Sequence, residues 1–255
     1  MAISRIYCDT TLHADGIVTL DKTASHHLLT VLRARVGQPV CLFNGDGNNY
    51  FGIIESADKN RSSNIHITEV TANSNESALF TCLIQGISRN DRMDFTLQKA
   101  TELGVNRIIA FRTDLVNQRV SFERQKKKLG HWQAVIQSAA EQSGRARLPD
   151  LQLVQNLATA IDSAKQYNNH SGHKCGNWAL IPEAAQTLHS GITARSDLSA
   201  VNLIVGPERG LSEAECSTAE SGGFEAAALG PRVLRTETAA LAALSVLQAL
   251  RGDFS

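Results

Sequence analysis

Two glycine- and charge-rich loops in the C-terminal half hold the residues best able to do chemistry. The first, Gly206-Pro207-Glu208-Arg209-Gly210, follows the apolar run Val201-Asn202-Leu203-Ile204-Val205 and precedes Ser212-Glu213-Ala214-Glu215, a capping box that opens a helix. Open α/β sheets place ligand loops at such positions, and glycines let backbone amides approach a ligand closely. The same five residues also make an ordinary structural turn. The second loop, Leu229 to Ala239, sets Arg232, Arg235, Glu237 and the hydroxyls of Thr236 and Thr238 between a strand and the last helix. Such density is unusual for a plain connection, and the N-terminus of the helix it enters favours negative charge. The plainer reading is a helix cap by Thr236 with a surface ion pair beside it. Neither loop contains a histidine.

Other chemistries fit less well. The chain has no G-x-G-x-x-G and no G-x-x-x-x-G-K-[ST], so the dinucleotide fingerprint and the phosphate loop are both missing and an oxidoreductase is a remote reading. His170, His173 and Cys175 lie close together in a polar stretch, but no fourth ligand or standard spacing accompanies them, and no metal is expected.

The elements that must position the two loops follow from periodicity. Leu79 to Gly86 reads as a buried strand, Asp91 to Leu103 as a helix and Arg107 to Phe111 as a strand, which makes a βαβ unit. Met93, Leu97 and Ala100 repeat at helical spacing; Asn90 or Asp91 is placed to cap the start and Gly104 to end the helix. A helix over 121–142 should bury Trp132, Val135, Ile136, Ala139 and Ala140, with Gly144 as its stop. Strands at 151–154, 178–181 and 201–205 and a final helix over 236–250 continue the alternation, which predicts a mostly parallel sheet covered by helices. Residues 1–72 differ in texture. Short strand candidates at 16–20, 39–43, 50–54 and 65–70, with a turn at Asn44-Gly45-Asp46-Gly47-Asn48-Asn49, describe a small β module, and the polar stretch Thr71 to Ser77 reads as a linker. The expected domains are therefore 1–72 and 77–255.

At 255 residues, 42% apolar and 20% charged, the chain has the make-up of a folded globular protein with one large core or two unequal ones. No basic leader followed by an apolar stretch and no long apolar run is present, so a cytoplasmic protein with no membrane span is expected. The five scattered cysteines, Cys8, Cys41, Cys82, Cys175 and Cys216, fit reduced thiols. Net charge is zero but unevenly divided: six basic against seven acidic residues in 1–75, twelve against eight in 76–150, and seven against ten in 151–255. The basic middle points to nucleic-acid phosphates, although its lysine run, Lys126 to Lys128, serves equally as a solvated helix face. The candidates for phosphate contact are Arg5, Arg33 and Arg35 in the N-terminal module and Arg119, Arg145 and Arg147 in the basic middle.

Four separated motifs, DRMDFTLQKATELGV (91–105), AEQSGR (140–145), GPERGLSEAE (206–215) and LGPRVLRTETAALAAL (229–244), with His26 to Arg33 besides, resemble the RsmE family of the SPOUT methyltransferase superfamily over most of the chain. The resemblance implies a PUA-like β-barrel domain, then a SPOUT-type α/β domain with a C-terminal trefoil knot, and a homodimer. General topology rules would have counted against a knot. It also implies an S-adenosylmethionine-dependent methyltransferase for N3 of uridine 1498 in 16S rRNA of the small ribosomal subunit. The cofactor would be held by Ile181, Pro182, Glu183, Val205, Gly206, Pro207, Glu208, Gly210, Leu229, Gly230, Arg232, Val233, Leu234 and Thr238. For that reaction, Arg232 or Arg235 is placed to stabilise negative charge on the uracil, and Glu208 or Glu237 to take the N3 proton. Arg209 departs from the family, which usually has glycine there. An RNA-binding assembly protein that has lost turnover is the alternative function.

Overall fold

A computed structural model describes residues 3–57, 62–114 and 122–254. The chain divides into two compact units, Met1–Glu76 with Gln137–Leu148, and Ser77–Ile136 with Pro149–Ser255.

In the first unit β1 (Ser4–Tyr7), β2 (Ile17–Leu20), β3 (Pro39–Phe43), β4 (Asn48–Ala57) and β5 (Ser63–Ala72) form one sheet in the order β1-β3-β4-β5-β2. The β1–β3 pair is parallel and the others antiparallel. Among the described residues the sheet is one continuous run of five strands, with β1 and β2 as its two ends. Its core gathers Ile6, Leu28, Val40, Leu42, Ile54, Ile65 and Ile67, all fully buried. The expected turn forms as its residue types dictate. Gly45 and Gly47 take φ +95 and +98, and Asp46 accepts from both Asn48 N (2.8 Å) and the Tyr50 hydroxyl (2.6 Å). Strand β5 runs through Ala72, opposite Asn48, so it takes up the first two residues of the expected linker. A short helix, α1 (Lys22–His26), is capped by Asp21 and continues into a π-turn at His27–Val31.

In the second unit β6 (Phe80–Gly86), β7 (Arg107–Phe111), β8 (Asp150–Val154), β9 (Cys175–Leu180), β10 (Ala200–Val205) and β11 (Glu225–Ala227) make an all-parallel sheet. Its order is β11-β9-β10-β6-β7-β8. The helices are α2 (Asn90–Glu102), α3 (Phe122–Ser143), of which only the part up to Ile136 belongs to this unit, α4 (Leu157–Ser171), α5 (Leu188–Thr193), α6 (Glu213–Ser221) and α7 (Thr236–Arg251). Strands β7 and β10 are buried at every residue, as a sheet covered on both faces requires. Chain order reverses between β6 and β10. This is the switch point beside which such sheets open a crevice at their carboxyl ends.

Helix α2 buries Met93, Leu97 and Ala100 completely, and Gly104 follows it with φ +82. Helix α3 buries Trp132, Ile136, Ala139 and Ala140, leaves Val135 half-buried, and is followed by Gly144 with φ +80. Helix α7 buries Ala240, Ala243, Leu244 and Leu247 on one face, each leucine contributing about 2 kcal/mol of apolar transfer. Two expected caps are corrected. Helix α2 starts one residue earlier, with Arg89 at the cap position and no side-chain cap. Thr236 lies inside α7, whose cap position is Arg235, and its hydroxyl is spent elsewhere.

Candidate active site

Strands β9, β10 and β11 end at Leu180, Val205 and Ala227, and the chain leaving each one walls a cavity of about 550 Å³. From the first come Ile181, Pro182 and Glu183. The second supplies Gly206 to Leu211, and the third Ala228, Leu229 and Arg232 to Thr236. One requirement explains both glycine positions where β6 and β10 end. A Cβ on Gly86 would stand 2.5 Å from Pro207 Cδ, and a Cβ on Gly206 would stand 2.7 Å from the Gly210 carbonyl carbon. The loop can fold back on itself and against β6 only without those side chains. Gly210 itself takes φ +74, whereas Arg209, an exposed residue of the cavity wall, is not among the residues with positive φ. The departure from glycine at Arg209 is therefore accommodated without backbone strain.

Of the cofactor-holding residues expected from sequence, all but Gly230 and Thr238 line the cavity. Gly230, at φ +105, shapes the third loop, and Thr238 is exposed on α7. Arg232 and Arg235 line the cavity as well, and neither makes an ion pair among the described residues. Glu208 lines it too, but its carboxylate is engaged. Oε1 accepts from the Arg89 backbone N–H at 2.9 Å and stands 3.7 Å from Arg92 Nη1. It thus meets the positive end of α2, where a carboxylate is favoured. Glu237 does not line the cavity; its Oε2 is buried without a partner among the described residues.

The cavity also holds residues for which sequence reasoning assigned no role, among them Arg92, Leu180, Cys216, Ala228 and Ala239, and it holds Thr236, which was read only as a helix cap. Arg92 sits inside the 91–105 motif, and that placement was the only signal available for it. The capping box forms as expected, with Ser212 Oγ accepting from Glu215 N (3.1 Å) and Glu215 accepting from Ser212 N (2.8 Å). The buried Glu215 carboxylate also takes the Thr113 hydroxyl and the Asp114 N–H, each at 3.1 Å, which ties the loop after β7 to α6. On the next residue, burial and the nearby Glu215, Glu183 and Glu213 push the Cys216 thiol above the ordinary range. Cys216 and Ile181 are shared with a second cavity of about 810 Å³.

The arginines proposed for RNA contact separate into classes. Arg33 (φ +56), Arg35 and Arg147 are exposed. Arg5 is half-buried, donating to Asn49 Oδ1 and to the Arg145 carbonyl, each at 3.0 Å, with its guanidinium over the Phe43 ring. Arg145 is 2% exposed and paired with Glu76 at 2.8 Å, which puts it in the interior of the first unit and away from any phosphate. Arg119 lies outside the described residues. Of the polar stretch considered for a metal, His173 stacks on Phe80 and Cys175 Sγ accepts from Asn202 Nδ2 at 3.2 Å.

A family model described as an RNA methyltransferase domain matches residues 75–248, and one described as an RNA methyltransferase PUA domain matches residues 20–63. The "Ribosomal RNA small subunit methyltransferase E" of Buchnera aphidicola subsp. Schizaphis graminum is 32% identical, covering 99% of this chain and 98% of its own. A crystal structure of the protein of that name from Neisseria gonorrhoeae, bound to S-adenosyl methionine, superposes with a TM-score of 0.87 at 34% identity and full coverage of both chains. A chain from Legionella pneumophila, solved in complex with the bound cofactor SAM, gives 0.89 at 34% identity, again over the whole of both.

Proposed function

The chain belongs to the RsmE family of RNA methyltransferases, and on that premise we propose that it transfers the methyl group of S-adenosylmethionine to N3 of uridine 1498 in 16S rRNA of the small ribosomal subunit. The observation that carries this reading is the cavity at the carboxyl ends of β9, β10 and β11, walled by the three segments assigned to the cofactor. Its volume, about 550 Å³, falls among those of small-molecule sites. Its walls suit the group. Ile181, Leu229 and Leu234 offer apolar contact for an adenine, Gly206 and Gly210 bring loop backbone to the wall, and Glu183 is a carboxylate for an ammonium. Three loops of the α/β domain brought together this closely are what a trefoil knot would produce, and a homodimer is part of the same reading.

Bound there, S-adenosylmethionine supplies a methyl group activated by its sulfonium. The chain's own task is to hold the uracil N3 in line with that methyl, since alignment alone accounts for much of such a rate. Arg232 and Arg235 stand free to donate to the uracil carbonyl oxygens as the ring becomes anionic. Glu208 lines the cavity but is held by Arg89 and Arg92, and Glu237, with its unpartnered Oε2, lies outside the lining, so the N3 proton is assigned to Glu208 or, through water, to Glu237. Exposed Arg33, Arg35 and Arg147 are assigned to phosphates, which set the register of the RNA while the target base leaves its stack. An enzyme with this substrate works in the cytoplasm.

The test is transfer of labelled methyl from S-adenosylmethionine to small subunits lacking the modification, followed by nucleoside analysis. N3-methyluridine at one site is the expected product. Binding of cofactor and subunit with no methyl transferred would instead mean an assembly factor.

Cys216 gives a check on the cavity that needs no turnover. With its thiol held above the ordinary range, alkylation by iodoacetamide is expected to be slow near neutral pH and to climb as pH rises past that range. Saturating S-adenosylmethionine should suppress the modification at every pH, read by peptide mass. Equal labelling with and without the cofactor would place it elsewhere.

A further inference from the structure

Gln85 is fully buried at the penultimate position of β6, far in sequence from either cavity loop. Its Nε2 donates to the Gly86 carbonyl at 3.0 Å and to Thr236 Oγ1 at 2.9 Å. Thr236, 5% exposed, donates its hydroxyl proton to the Gly206 carbonyl at 2.6 Å. A hydroxyl has one proton and the Gly206 carbonyl only accepts, so Oγ1 must in turn accept from Gln85. The orientation of the whole relay is therefore set. One strand end thereby holds the second cavity loop at Gly206 and the third where it enters α7. The same end meets Pro207 through the bare Cα of Gly86.

Gln85 Oε1 is buried with no partner among the described residues. A buried amide oxygen left unpaired costs free energy, and an apolar side chain filling the same space would avoid the cost. Its N–H groups do something an apolar group cannot, which is to hold Thr236 against Gly206.

We propose that Gln85 and Thr236 are positioning residues for the cofactor site: they lock the second and third loops in register so that both walls present their binding surfaces together. This rests on the assignment of the cavity to S-adenosylmethionine. Neither residue is given a part in the chemical step.

Thr236→Val keeps the side-chain shape and removes the relay, Thr236→Ser keeps the hydroxyl, and Gln85→Met replaces the amide with an apolar chain of similar length. Affinity for S-adenosylmethionine is measured by calorimetry well below each variant's thermal midpoint, and small-subunit affinity is measured without cofactor. Thr236→Val and Gln85→Met should each weaken cofactor binding by roughly tenfold or more, Thr236→Ser should stay within about threefold of the parent, and subunit affinity should not move. If Thr236→Val does not fold, Gln85→Met and Thr236→Ser carry the comparison. A purely structural role would lower the midpoint and leave the folded protein's cofactor affinity at the parent value, and that result overturns the proposal. If the parent chain itself binds no S-adenosylmethionine, the assignment of the cavity falls first and the positioning role with it.

Discussion

Replacing Arg235 with alanine should slow single-turnover methyl transfer by about a hundredfold or more with S-adenosylmethionine saturating, while cofactor affinity changes little. Arg235 occupies the cap position of α7, next to the buried Thr236, so its Cα is held by a packed helix. Arg235 lines the cavity and has no ion-pair partner among the described residues, unlike Arg92, which stands by Glu208. A donor not already spent on another charge is what a developing negative charge needs. Arg232 follows Gly230 and Pro231 in the loop and is less firmly placed; Arg232→Ala should cost about tenfold on the same grounds. Arg235→Lys keeps the charge but loses the planar fork, and should fall between the parent and alanine. Single-turnover rates in both alanine variants equal to the parent's would remove the arginines from the chemical step and move attention to backbone donors.

Local chemistry was legible in the sequence because it depends on neighbours. The capping box at Ser212 and Glu215, the glycine stops at Gly104 and Gly144 and the buried stripe of α2 are all written within a few residues, and the structure has them. What the sequence did not reveal is which distant residues answer one another. Glu208 reads as a free carboxylate in a ligand loop until the start of α2, over a hundred residues earlier, is seen to claim it. Thr236 reads as a helix cap because that is the usual use of a threonine before a helix; its actual partners, Gln85 and Gly206, are set by the strand order, and β6 stands beside β10 only after the parallel sheet has assembled. The cavity itself was legible in part, since the loops could be named from their composition. Arg92 and Cys216 enter it through packing alone.

Charge counting has the same blind spot, and Arg145 makes it measurable. A basic excess in the middle of the chain made Arg145 and Arg147 equivalent candidates for phosphates, yet two residues apart they face opposite demands. Arg147 is exposed, with its guanidinium packed over Gly47. The Arg145 side chain is 3% exposed and meets Glu76, itself 16% exposed, through Nη2 at 2.8 Å and Nε at 3.2 Å. Glu76 also accepts from the Arg147 backbone N–H at 3.2 Å. Removing one partner of a buried pair leaves the other charge without compensation, so Arg145→Ala or Glu76→Ala should destabilise the first unit by about 3–5 kcal/mol, whereas Arg147→Ala should cost under about 0.5 kcal/mol. Joint replacement by apolar residues, Arg145→Leu with Glu76→Met, should recover most of the loss, because the desolvation of both charges disappears together. Hydrogen exchange of the β3 and β4 amides reads this unit directly. Small-subunit binding against salt reads the other role: Arg147→Ala should lower the slope of log affinity by about one, the signature of one lost phosphate contact. Unchanged exchange in Arg145→Ala, together with the lowered salt slope, would return Arg145 to the RNA surface.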